Sequence, residues 1–135
     1  MKKLLLICTV SVFLTACADK KNYEAAVLTQ MQTEKDLKDY KIDPEQMTEC
    51  VVDLSSKKMP GVFPFDPNRL EAYQKYTKMI LMDTVEDKQK MLNDLRKLFG
   101  SPQDLAEAHS NYTISVMDCI AAIIKKSEPE IETKD

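Results

Sequence analysis

The segment PQDLAEAHSNYTISVMDCIAAIIKK, residues 102–126, decides the fold class because it is the most strongly amphipathic stretch of the chain. Its apolar side chains recur every three or four residues, which places them on one face of a helix. Cys119 lies in the middle of that face. The segment therefore predicts a long final helix, and the side chains expected to face the core are Leu105, Ala108, Tyr112, Val116, Cys119, Ile120 and Ile123.

Two further helices are predicted to begin where aspartate precedes proline, at Asp43-Pro44 and Asp66-Pro67. Aspartate accepts hydrogen bonds from the first N–H groups of a helix, and proline fits the first turn, where its missing donor is harmless. Gly100 suits the end of a helix, and Ser101-Pro102 suits the start of the last one. The inward residues expected in these two helices are Met47, Cys50, Val51 and Leu54, then Leu70, Tyr73, Thr77, Ile80 and Leu81.

Helical periodicity also covers residues 19–40 and residues 84–99. A single helix over residues 67–99 would be about 50 Å long, which is too long to pack along its whole length in so small a domain. We therefore prefer two helices to one bent helix, with a break near residues 82–87 and Asp83 or Thr84 as the cap. The inward candidates are Tyr23, Val27, Met31, Leu37 and Tyr40 in the first segment, and Val85, Met91 or Leu92, Leu95, Leu98 and Phe99 in the second.

No segment has the alternating pattern of a strand, and no Asn-Gly or Asp-Gly hairpin turn occurs in the sequence. The predicted fold is all-α, a small antiparallel bundle of four or five helices. The residues after position 16 carry 22 acidic side chains and 17 basic ones, since Lys2 and Lys3 precede them, so the net charge is 17 − 22 = −5. Without a long basic block, a nucleic-acid partner is not expected.

The N-terminus has a basic start at Lys2 and Lys3 and an apolar stretch from Leu4 to Leu14. This stretch is too short to cross a bilayer, which takes about 20 apolar residues, so it indicates a signal peptide. Leu14-Thr15-Ala16-Cys17 resembles the lipobox of bacterial lipoproteins. The resemblance implies removal of residues 1–16, a lipid on Cys17 and a lipid-anchored domain over residues 17–126. The alternative is an ordinary secretory signal, cut after Ala16 or Ala18.

The resemblance also suggests a cellular location. In enteric-type sorting, an aspartate directly after the lipidated cysteine retains a lipoprotein in the inner membrane, and this chain has Ala18 there. The expected location is therefore the periplasmic face of the outer membrane. The alternative, for a Gram-positive source, is the outer-facing leaflet of the single membrane. The tail at residues 127–135 is charged and contains proline, which predicts disorder.

Two cysteines remain after Cys8 is removed with the signal and Cys17 is lipidated. Cys50 and Cys119 are expected to form a disulfide in an oxidising compartment, and the bridge would join two helices. The alternative is a pair of buried free thiols.

The stretch from Lys58 to Phe65 reads KMPGVFPF, so it has the prolines and glycine of a loop but an apolar composition. One interpretation is that the loop folds over one end of the bundle and plugs it. The other is that its apolar side chains form a docking surface for a protein partner. The candidate partner-binding residues are Met59, Val62, Phe63 and Phe65.

The sequence offers little for catalysis. His109 is the single histidine, and its neighbour Ser110 points in another direction on a helix, so the two do not form a catalytic pair. We expect no enzymatic activity, no metal and no cofactor. Met79, Met82, Met91 and Met117 have thioethers suited to Cu(I), but methionines at helical spacing more often fill a core.

These features predict a lipid-anchored binding module that holds or positions a protein partner at the membrane. In size, lipidation, helical content and inter-helix disulfide the chain is similar to the pilotin lipoproteins. That likeness implies an accessory role in an assembly or secretion system. The alternative is a small-ligand binder or enzyme, with a pocket between helices around His109 and Tyr112.

Overall fold

Six α-helices and one short 3-10 helix make up the regular structure of residues 2–127, the part of the chain that the computed structural model describes, with side chains from residue 18 onward. No strand occurs among these residues, which confirms the all-α prediction. The side chains of the expected signal peptide and of Cys17 lie outside the described part, as do residues 128–135 of the tail. The helices are α1 Lys2–Thr33, α2 Lys35–Asp39, α3 Pro44–Lys57, α4 Pro67–Ile80, α5 Lys88–Phe99 and α6 Pro102–Ser127, with the 3-10 helix at Leu81–Thr84.

Five of the helices form a closed ring around a shared core, in which each helix packs against two neighbours. Helix α1 packs on α3 and α4, α3 packs on α6, α6 packs on α5, and α5 packs on α4. The sixth, α2, has only five residues. The side chains enclosed by this ring include Tyr23, Val27, Met31, Met47, Val51, Tyr73, Tyr76, Leu95 and Cys119.

A disulfide joins Cys50 on α3 to Cys119 on α6, with 5.9 Å between their Cα atoms. It links two helices that also pack directly against each other. The expected bridge is therefore present, and its Cys119 end is fully buried.

The predicted helix starts are confirmed. The Asp43 side chain accepts hydrogen bonds from the N–H groups of Glu45 and Gln46, and Asp66 accepts one from Asn68. The backbone N–H of Asp104 donates to Ser101 Oγ at 3.0 Å, which caps α6. All of these bonds are local, and that is why the sequence predicts them well.

The break after α4 occurs where it was expected, but the predicted cap is wrong. The chain continues from α4 into the 3-10 helix at Leu81–Thr84, so Asp83 and Thr84 are wound into that turn. Helix α5 begins later, and the Asp87 side chain accepts the hydrogen bond from Lys90 N–H at 2.9 Å.

The first predicted helix also differs, because it stops at Thr33 and a short α2 follows an extended Glu34. This turn buries Leu37 and leaves Tyr40, which was expected to face inward, exposed. Within the described residues, no helix has both the length and the apolar character that a membrane span requires.

The inward face of α4 is rotated relative to the prediction. Leu70 and Thr77 are only partly buried, whereas Tyr76 and Met79 are in the core. Tyr76 was missed because the predicted apolar face passed through its neighbour Thr77 instead.

Candidate functional site

The loop between α3 and α4 places its apolar residues in two different environments. Met59 is buried in the core, so this one residue behaves as the plugging interpretation requires. Val62, Phe63 and Phe65 have exposed fractions of 93%, 55% and 53%. We call these three side chains the apolar patch. Met59 is not accessible to a partner, whereas the apolar patch is.

An arginine holds this loop in place from behind. Arg69, in the first turns of α4, donates from Nε to the Pro60 carbonyl at 2.9 Å and from Nη2 to the Gly61 carbonyl at 2.7 Å. Its Nη1 donates to the carbonyl of Ser56 near the end of α3. We call this group the arginine clamp. It connects the end of α3, the loop and the start of α4 through one guanidinium.

The Asp66 carboxylate fixes the other end of the loop. It accepts hydrogen bonds from the backbone N–H groups of Val62 at 3.0 Å and Asn68 at 2.9 Å. These two bonds stabilise the charged form and lower the pKa of the Asp66 carboxyl below its usual value. The chain between the clamp and Asp66 is therefore held at both ends, with the apolar patch directed outward.

Gly61 makes the close approach of loop and helix possible. Its φ is +99°, a conformation that favours glycine, and a Cβ at this position would lie 2.8 Å from both Cβ and N of Arg69. No other residue type fits here without moving the backbone of α4.

A groove of about 710 Å³ lies beside the apolar patch, between α1, α3 and the loop. Val62 and Phe63 form part of one wall, and Leu28 and Val52 contribute apolar surface from the two helices. Ser56 also lines it, and the buried Ser56 Oγ has no hydrogen-bond partner among the described residues. The groove therefore combines apolar walls with charged side chains from α1 and α3.

The charges around the groove leave a negative excess. Lys20 pairs with Glu24 at 3.4 Å and Lys57 pairs with Asp53 at 2.6 Å, while the Arg69 guanidinium is used by the clamp. Two more carboxylates line the groove, those of Glu45 and Glu49. Neither has an ion pair within residues 18–127. Because they are one helical turn apart on α3, they form an acidic edge.

The alternative site was expected around His109 and Tyr112 on α6. His109 is exposed and does not line this groove. Tyr112 is partly buried, and its hydroxyl has no hydrogen-bond partner among the described residues. Burial raises the pKa of the Tyr112 hydroxyl, and the negative charge of Glu34 adds to the effect.

A buried polar network joins α1, α3, α4 and α6, and the sequence did not predict it. The hydroxyls of Tyr23 and Ser55 lie 2.7 Å apart, and the Asn111 amide donates to the Ser55 carbonyl and to Tyr76 Oη. Ser115 Oγ donates to the Asn111 carbonyl. These residues occupy apolar positions in the helix pattern, and a polar residue there has no sequence signal that identifies its distant partner.

The methionines considered for copper lie in different environments. Met79 is buried in the core, whereas Met117 is exposed on α6. Among the residues that the structure describes, there is no group of three or more histidine, cysteine, aspartate or glutamate side chains that could hold a metal ion.

Comparisons with protein-family models, with curated proteins and with solved structures find no match to this chain.

Proposed function

We propose that this protein is a lipid-anchored binding module that holds a protein partner at the membrane, on the periplasmic face of the outer membrane. The anchor in this proposal is a lipid on Cys17, and its support is the lipobox-like sequence at residues 14–17. The module performs no reaction. Its role is accessory, in the assembly or secretion of the partner that it holds.

The observation that carries the proposal is the apolar patch held outward by the arginine clamp. Exposed apolar side chains normally cost solubility, and a contiguous group of them marks an interaction surface. Here the hydrogen bonds that Arg69 donates and the one that Asp66 accepts from Val62 N–H keep the loop ordered. A surface that is ordered before binding loses less conformational entropy when a partner docks.

The groove indicates the chemistry of the partner. Its apolar walls suit a segment with apolar side chains, and the acidic edge at Glu45 and Glu49 suits one that also carries lysine or arginine. The proposed occupant is therefore a protein segment with an apolar face and basic side chains next to it.

We expect that replacing Phe63 and Phe65 by serine will reduce partner binding about tenfold or more, because buried aromatic anchors carry most of the energy of such interfaces. A photo-activated crosslinking side chain introduced at Val62 in intact cells should give a discrete protein adduct, and its yield in the double variant is the measurement. Raised salt should weaken the same adduct, since the acidic edge is solvent-exposed.

The matched control is Ile114→Ser with Met117→Ser, which removes two exposed apolar side chains from α6. This variant should keep the full adduct yield. Both double variants should melt within about 4 °C of the unaltered protein, because exposed side chains contribute little to stability. An equal loss of adduct in both variants would contradict docking at the loop, and a large fall in melting temperature for the phenylalanine variant alone would favour the plugging interpretation.

Cys17→Ser should release the protein from the membrane fraction, because several acyl chains are needed for stable anchoring and the serine variant accepts none. The measurement is fractionation of cells followed by detection of the protein. Cys8→Ser is the control and should stay in the membrane fraction. Continued membrane retention of the Cys17 variant would contradict the lipid anchor without bearing on the groove.

A further inference from the structure

The groove beside the apolar patch has a direction along the bundle. Helix α2 and a short turn join α1 to α3, and the two longer helices pack together, so α3 runs back along α1. The hydroxyls of Tyr23 and Ser55 lie 2.7 Å apart, which fixes the register of the two helices. Tyr23 follows Cys17 by six residues on α1, and Ser55 lies in the last turn of α3. The loop end of the groove is therefore the end nearest the proposed anchor.

The two ends of the groove differ in charge. At the loop end, Lys20 and Lys57 line the groove, and each is paired with a carboxylate, at 3.4 Å and 2.6 Å. At the other end, Glu45 and Glu49 line the groove without an ion pair within residues 18–127. They precede Lys57 by twelve and eight residues on α3, which places the acidic edge about 12–18 Å from the loop end. Only the end away from the anchor therefore attracts positive charge.

The apolar surface of the groove begins at the loop end and continues toward the acidic edge. It starts with Val62 and Phe63 of the loop and includes Leu28 on α1 and Val52 on α3. Val52 follows Glu49 by three residues on the same helix, so the apolar wall reaches the acidic edge without a gap. A segment that fits this surface is apolar over most of its length and positively charged at one end.

The walls of the groove favour a helix over an extended segment. They are formed by α1, α3 and the loop, and no strand occurs among the residues that the structure describes. An extended segment would find no row of unpaired backbone groups here, whereas a helix satisfies its own backbone hydrogen bonds. Three turns of helix are about 16 Å long, which matches the distance from the loop end to the acidic edge.

We propose that the groove binds an amphipathic helix of about three turns, with lysine or arginine at the end that lies over Glu45 and Glu49. This inference rests on the proposed function, because it names the form and the direction of the partner segment in the same groove. Apolar side chains at intervals of three or four residues pack on Val62, Phe63 and the apolar wall beyond them. With a lipid on Cys17, the basic end of the bound helix is directed away from the bilayer.

A synthetic peptide tests the helical form of the occupant. It has about 14 residues, leucines at helical spacing, two lysines one turn apart at one end and a fluorescent label. Fluorescence anisotropy measures its binding to the full-length mature protein in nanodiscs of zwitterionic phosphatidylcholine, with empty nanodiscs as the blank. We expect saturable binding above the blank, and binding at least tenfold weaker for a peptide with proline in its middle, which breaks the helix. Equal binding of the two peptides, or no saturable binding, would overturn the proposal.

Reversing the charge of the acidic edge tests the basic end of the helix. Glu45→Lys with Glu49→Lys should weaken binding of the lysine peptide about fivefold or more, because two attractions become repulsions. A peptide with glutamates in place of the lysines should bind this variant better than it binds the unaltered protein. The matched control, Asp94→Lys with Asp118→Lys, changes the net charge equally at exposed positions outside the groove and should leave binding unchanged. Equal losses in the two double variants would overturn the role of the acidic edge.

A photo-activated crosslinking side chain at Val62 tests the direction of the helix. Irradiation should attach it to the end of the peptide without lysines, as located by mass spectrometry of the digested adduct. Attachment beside the lysines would overturn the proposed direction. The proposed function is tested separately by the adduct formed through Val62 in cells. If that adduct requires Phe63 and Phe65 but the proline peptide binds as well as the helical one, the groove still holds a protein partner and the helical form alone is overturned.

Discussion

Replacing Cys50 and Cys119 together by alanine is expected to lower the free energy of unfolding by about 2–4 kcal/mol. The two cysteines are 69 positions apart in the sequence, so the bridge closes a long loop and restricts the unfolded chain strongly. Alanine is preferred to serine because Cys119 is fully buried, and a serine hydroxyl there would add an unsatisfied polar group. Urea denaturation of the two proteins, monitored by circular dichroism, measures the difference.

A reducing agent provides the control for the cysteine pair. It should lower the urea midpoint of the unaltered protein to about that of the double alanine variant. The midpoint of the variant itself should not change. A midpoint of the unaltered protein that does not respond to reduction would contradict a stabilising role for the bridge. Two alkylatable thiols in the native protein would show that the bridge is not formed.

Gly61→Ala is expected to destabilise the protein more than the same change at the other glycine, Gly100. Both residues have φ near +100°, so both variants carry the strain of a side chain in that conformation, about 1–2 kcal/mol. At Gly100 the nearest obstacle to a new Cβ is the flexible end of Asp104 at 3.5 Å. At Gly61 it is the backbone of Arg69 at 2.8 Å, and this steric clash adds about 1–3 kcal/mol more.

Thermal unfolding of the two glycine variants checks the prediction, because the shared backbone strain cancels in the comparison. The Gly61 variant should also lose crosslinking through Val62, since the clash displaces the arginine clamp, while the Gly100 variant should retain it. Equal melting temperatures for the two variants would indicate that the loop adjusts without cost and that the clamp is not rigid.

The parts of this fold that the sequence predicted depend on short-range interactions. Asp43 and Asp66 cap their helices through N–H groups two or three residues away, so the Asp-Pro pairs alone located α3 and α4. The cysteine pair was predicted because two cysteines remained once Cys8 and Cys17 were assigned elsewhere. Neither inference required knowledge of how the helices pack.

The parts that the sequence did not predict depend on distant partners. Asn111 and Ser55 are 56 positions apart, and their hydrogen bond makes an otherwise unfavourable buried amide acceptable. Arg69 reads as an ordinary surface residue of an amphipathic helix, and only the folded loop brings the Pro60 and Gly61 carbonyls to it. Its use as a clamp has no local pattern that could have identified it.

The position of the groove along α1 fixes how high above the bilayer a captured protein would stand. Lys20 lines the groove and follows Cys17 by only three residues, all within one continuous helix. At 1.5 Å per residue, the near end of the groove is about 4.5 Å along the helix axis from the proposed acylated residue. A lipid on Cys17 would therefore hold the module against the bilayer without a flexible linker. A partner in the groove would then lie at the level of the phospholipid head groups.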